Sequence, residues 1–147
     1  MFSIESVMSK ELVTILPSGS LAEARELMQT NRIHHLPVLD DDGALVGLLT
    51  LTDLLKATDS ILRGDADRIH ANEIRVADVM VTGIATIDEQ ADLRQTALFL
   101  EKHRIGCMPV VDDGQLKGII TDTDFVAIAI NLLEMLEETE PVDEQYG

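Results

Sequence analysis

Two short segments hold the residues best suited to chemistry: Gly47-Leu48-Leu49-Thr50-Leu51-Thr52-Asp53 and Gly118-Ile119-Ile120-Thr121-Asp122-Thr123-Asp124. In each, a hydroxyl precedes a carboxylate by three residues at a strand-to-helix junction. That spacing makes a capping box, in which the two side chains satisfy backbone groups at the helix start. It also suits a ligand. A carboxylate at a helix start can accept both hydroxyls of a ribose, and a threonine hydroxyl can reach a phosphate beside exposed helix N–H groups. The spacing leaves both uses open.

Other chemistry is poorly served. The chain has no P-loop and no nucleophile elbow, and its single thiol, Cys107, precedes Met108-Pro109, where a small buried residue is expected. His34 and His35 are adjacent, so in a strand they point to opposite faces and cannot chelate one ion together. Asp40 to Gly43 resemble the start of a calcium loop, but the twelfth position is Leu51, where a bidentate Glu is required. Neither catalysis nor a metal site is expected.

The elements that must position these residues come twice. Val7-Met8 returns as Val79-Met80, Thr14-Ile15 as Thr86-Ile87, Arg32-Ile33 as Arg104-Ile105 and Pro37-Val38 as Pro109-Val110, without a gap. Beyond the Asp-rich turn the offset falls by one residue, as a surface turn allows. Within each copy the pattern predicts a short helical turn, a brief strand (Val13-Thr14-Ile15), and a helix capped by Ser20 with Glu23 or Asp92 with Gln95. A hairpin follows, with apolar runs Leu36 to Leu39 and Leu45 to Leu49, or Met108 to Val111 and Leu116 to Ile120. A second helix closes each copy, with Leu54, Leu55, Thr58, Ile61 and Leu62 sharing one side in the first. Each repeat therefore reads β-α-β-β-α, an α+β fold. The units span 3–63 and 76–136, joined by a polar linker at 64–75 and followed by an acidic, disordered tail at 137–147. The last helix, Phe125 to Leu136, is apolar nearly all round and is expected to pack against another subunit.

Composition removes several functions. With 27 acidic and 11 basic residues the net charge is −16, which opposes both nucleic-acid phosphates and an anionic membrane surface. One cysteine permits no internal disulfide and suits a reducing compartment. The N-terminus lacks the pattern of a signal peptide and no apolar run is long enough to span a bilayer. A cytoplasmic protein is the expectation.

In combination, V-M, h-h-P-V-h, an Asp/Gly turn and G-h-h-T-x-T-D, present twice at this period, resemble a tandem pair of cystathionine-β-synthase-type (CBS) domains, the Bateman module. The runs Arg32-Ile33-His34-His35-Leu36-Pro37 and His103-Arg104-Ile105-Gly106-Cys107-Met108-Pro109 are also similar to the CBS pair of bacterial acetoin-utilisation regulatory proteins. The resemblance implies a regulatory module, not an enzyme, that binds AMP, ADP, ATP or S-adenosylmethionine in clefts between the repeats. Carried over, one cleft takes Thr14, Ile33, His34 and His35 with Thr121 and Asp124; the other takes Thr86, Ile105, Gly106 and Cys107 with Thr50 and Asp53. The Asp would hold the ribose, the Thr would approach the phosphates and the aliphatic residue would pack on the adenine. The imidazoles make the first cleft the expected one for a phosphorylated ligand. A homodimer and an effector protein are the implied partners; the alternative is a dimerisation scaffold with vestigial clefts.

Overall fold

The computed structural model describes residues 3–63 and 73–139. The long helices begin at the caps that the spacing predicts. Ser20 Oγ accepts the Glu23 N–H at 3.1 Å ahead of α2 (Leu21–Asn31), and Asp92 Oδ2 accepts the Gln95 N–H at 3.0 Å ahead of α5 (Leu93–His103). Both helices also end alike. Arg32 and Arg104 take left-handed backbone, with φ of 54° and 53°, a conformation usually left to glycine.

Each helix leads into a two-stranded antiparallel hairpin: β1 (His35–Leu39) with β2 (Leu45–Thr50), and β3 (Cys107–Asp112) with β4 (Gln115–Thr121). The first turn is built by Asp40, whose Oδ1 accepts the N–H groups of Asp42 and Ala44, both at 2.9 Å. From the hairpins the chain passes into α3 (Leu51–Arg63) and α6 (Asp122–Thr139). The expected first strand shrinks in both repeats to one parallel bridge, Ile15 with Val38 and Ile87 with Val110. The chain turns at once, with Gly19 N–H on the Leu16 carbonyl and Ala91 N–H on that of Asp88.

Two short helices, α1 (Ile4–Val7) and α4 (Val76–Val79), are exchanged between the repeats. Ile4 and Met8 lie in the core of the second repeat with Leu100, Met108, Val110 and Ile120. Val76 lies in the core of the first with Leu21, Leu36, Val38, Leu49 and Leu54. Backbone bonds fix the exchange: Ser9 and Ile119 trade N–H groups at 2.9 and 3.1 Å, and Leu48 and Val81 do so at 2.9 Å each way. The repeats thus form one pseudo-two-fold module with two interlocked cores.

Gly47 and Gly118 make this crossing possible. A Cβ on Gly118 would sit 2.5 Å from Met8 Sδ and 2.9 Å from the Ser9 carbonyl oxygen; on Gly47 it would sit 2.6 Å from Met80 Sδ and 3.1 Å from the Val81 carbonyl oxygen. The thioether can move aside, but the carbonyl is held by the bridge. Gly118→Ala is expected to cost about 1–3 kcal/mol by overpacking, read as a lower urea midpoint.

Three particulars depart from the sequence pattern. Leu54 is buried but Leu55 is 54% exposed, because adjacent helical positions diverge by about 100° and only one can face the core. Helix α6 continues three residues past Leu136, to Thr139. None of its described side chains is buried within the chain. Of the predicted linker, 73–75 is ordered against the first repeat, where the Ile74 carbonyl accepts the Leu21 N–H at 3.1 Å. Residues 64–72 and 140–147, with the rest of the linker and most of the acidic tail, and the side chains of Ile61 and Leu62 lie outside the described residues.

Candidate ligand clefts between the repeats

The Thr and Asp of each motif are bonded to each other. Thr50 Oγ1 donates to Asp53 Oδ2 at 2.8 Å and accepts the Asp53 N–H at 3.2 Å. Asp124 Oδ2 accepts from the Thr121 N–H at 2.8 Å and its hydroxyl at 3.2 Å, while Thr121 Oγ1 takes the Asp124 N–H at 3.3 Å. The capping geometry is therefore formed in both repeats. It fixes the rotamer of each Thr and Asp at a helix start beside a cavity, so capping and ligand binding are compatible uses of the same pair.

The second cleft is a cavity of about 500 Å³. It brings together Thr50 from the first repeat with Ile105, Gly106 and Cys107 from the second. Asp53 is one hydrogen bond behind Thr50 and does not line it; Thr86 lines a separate hollow of about 210 Å³ beside Asp92 and Thr96. The first cleft is smaller, about 200 Å³, and joins Ile33, His35, Thr121 and Asp124. Thr14 does not line it, and His34 instead lines a groove beside Arg25 and Arg32.

Among the lining residues of the larger cavity that sequence reasoning missed are Phe99, His103 and Arg104. Phe99 and His103 are four apart on α5 and their rings lie 4.2 Å apart by centroid. The left-handed backbone of Arg104 ends that helix at the cavity wall. A positive φ at a non-glycine residue is not visible in a helical pattern, although the repeat of Arg-Ile at 32 and 104 was a signal. His35 lines both clefts and is their shared wall.

Charge separates the two cavities. Among the described residues lining the larger one, Arg104, His103 and His35 are titratable bases and no Asp or Glu takes part. The smaller is lined by Glu11 and Asp124, with His35 as its one basic group. Burial lowers the His35 pKa; Asp122 opposes the shift and His34 adds to it. The imidazole is therefore neutral at pH 7 and can both donate and accept. Burial, then the charges of Asp122 and Asp124, push the Cys107 thiol up to about 12. It stays protonated, which removes it as a nucleophile or thiolate ligand. Gly106 keeps the wall open: a Cβ there would lie 3.4 Å from Asp122 Oδ2 and 3.8 Å from His35 Nε2.

Paired α+β repeats with interlocked cores and a cleft on each side of a shared histidine define a tandem two-repeat module. The family model of the CBS domain matches residues 4–60 and 76–131, and the chain belongs to the CBS-domain family. Among solved structures it is similar to AcuB of Vibrio cholerae, a protein named for acetoin utilization, with 40% identity, a TM-score of 0.80, and coverage of 96% of this chain and 99% of that one. It is similar to CBSX2 in complex with AMP (28% identity, TM-score 0.77, covering 90% and 98%). It is also similar to the CBS pair of MJ0100 in complex with 5′-methylthioadenosine and S-adenosyl-L-methionine (26% identity, TM-score 0.77, covering 89% and 98%). Among the described residues, no helix is long and apolar enough to cross a membrane.

Proposed function

We propose that this chain is a regulatory module whose larger cleft binds an adenine nucleotide, and that binding biases the arrangement of the two repeats sensed by an effector protein. The observation that carries this reading is the cavity of about 500 Å³ between the repeats. Its volume falls within the range of about 300–1,000 Å³ for small-molecule sites, whereas the other cleft falls below it. Thr50, held in place by Asp53 behind it, faces the ribose and phosphate side, and Ile105 and Phe99 offer apolar contact to the base. The basic lining favours AMP, ADP or ATP over S-adenosylmethionine, whose sulfonium and amino groups outweigh its single carboxylate. This reverses the preference that His34 and His35 alone suggest, because His34 is turned away from the smaller cleft.

The exposed apolar face of α6 supports a homodimer, and such a dimer would present both modules to one effector. Binding can shift such a module only by its differential affinity for two arrangements, a coupling of about 1–3 kcal/mol.

Thermal unfolding of the stripped protein, with about 1 mM AMP, 5′-methylthioadenosine or S-adenosylmethionine, tests the reading. AMP is expected to raise the midpoint most. Arg104→Gln should weaken AMP about tenfold, the loss of one charge-assisted contact to phosphate, and leave neutral 5′-methylthioadenosine unchanged. An intact dimer that responds to none of the three would establish the scaffold alternative.

A further inference from the structure

The two clefts are built from matching parts. The repeat offset pairs Leu12 of the smaller cleft with Ile84 of the larger, Ile33 with Ile105 and Thr121 with Thr50. The segments that enter the clefts are anchored alike, because Ser9 is bridged to Ile119 and its counterpart Val81 to Leu48, each in the hairpin of the other repeat. The residue two places past the bridge lines the cleft in both cases. In the smaller cleft it is Glu11, and in the larger it is Gly83.

Among the described residues that line the smaller cleft, Glu11 is the one whose counterpart differs in charge at pH 7. His35 matches Cys107 and both are neutral, while Asp124 matches Asp53. Glu11 is exposed, so it sets a carboxylate where a ligand must enter, in a cleft that already holds Asp124. A phosphate approaching there meets like charge with no ionised base to offset it. Gly83 is the reverse case. It is also exposed, and a Cβ built on it meets nothing within 4 Å, so the position opens onto free space. Arg104 lines that same cavity, whereas its counterpart Arg32 lies in the groove with His34.

Resting on the nucleotide reading above, we infer that the residue at this position decides which cleft takes a phosphorylated ligand: Gly83 admits the phosphate to the larger cleft, and Glu11 bars it from the smaller. Glu11 and Gly83 thus give two clefts of one design different ligands, and no other matched lining pair changes charge.

Calorimetric titration at low salt tests this with AMP and with 5′-methylthioadenosine, which carries no phosphate. Gly83→Asp and Gly83→Asn have nearly the same shape, and both residues tolerate the left-handed backbone, φ of 64°, found there. AMP should bind the Asp variant about tenfold more weakly than the Asn variant, with the difference shrinking as salt rises. 5′-Methylthioadenosine should bind the two variants alike. Equal AMP constants for the two, or a difference shared by both ligands, would overturn the role of position 83. Glu11→Gly gives the smaller cleft the residue of the larger. The wild type should take one AMP per chain and this variant two. A wild type that already takes two, or a variant that still takes one, would overturn the role of Glu11. A wild type that binds no AMP would instead overturn the nucleotide reading beneath the proposal.

Discussion

Asp53→Ala is expected to abolish the thermal shift that AMP produces, whereas Asp124→Ala keeps it. At AMP one hundred times above its dissociation constant, binding to the folded state alone adds about 2.7 kcal/mol, or roughly 6–10 °C for a chain of this size. Both variants keep the bond in which the threonine hydroxyl accepts the N–H three residues on, and lose the carboxylate's bond from that hydroxyl; Asp124→Ala also loses the bond from the Thr121 N–H. Each should therefore lose about 1–2 kcal/mol without ligand. The ligand response divides them. Asp53 holds the rotamer of Thr50, which lines the larger, basic cleft, while Asp124 lines the smaller cleft beside Glu11. Calorimetric titration with AMP checks the same point directly. Loss of binding in Asp124→Ala with retention in Asp53→Ala would move the nucleotide to the smaller cleft. Equal loss of stability with no AMP response even in the wild type would leave the two pairs as caps only.

The sequence pattern captures what is local. Caps at Ser20 and Asp92, the hairpins, and the Thr and Asp pairs all follow from spacing, since each is decided within a few residues. The alternation of His34 and His35 follows too: one faces the groove of Arg25 and the other the clefts. What the pattern cannot hold is which repeat a segment packs against. Val7-Met8 and Val79-Met80 read identically whether each serves its own repeat or the other, and both cross over. Cleft charge is hidden for a related reason. His103 and Arg104 look like an ordinary helix end, and only the left-handed turn after α5 brings them to the cavity. Thr14 and Thr86 fall outside the clefts by alternation along extended backbone: their neighbours Val13 and Ala85 line the smaller and the larger cleft, and the next side chain points the other way.

Ile4→Ala is expected to destabilise the whole chain by about 2–5 kcal/mol, although Ile4 lies at the edge of the sequence. Its side chain is fully buried with Leu100, Met108, Val110 and Ile120, all of the second repeat. The symmetric substitution Val76→Ala removes fewer atoms and should cost less, yet it empties a site in the core of the first repeat. If the repeats were independent units, each variant would give a two-step urea transition in which one half melts early. The exchange predicts otherwise. Loosening α1 releases Ser9 from Ile119, and with it the contact of Met8 at Gly118, so the second core opens from the first repeat's own N-terminus. The first core is tied in the same way through Val81 and Leu48. Ile4→Ala should therefore shift one cooperative transition seen alike by circular dichroism and by hydrogen exchange in both hairpins. Two transitions would mean that the crossing segments detach before either core melts. A single transition carries a functional consequence: strain applied at the cleft between the repeats is felt by both cores at once, which is what a two-repeat sensor requires to pass on ligand binding.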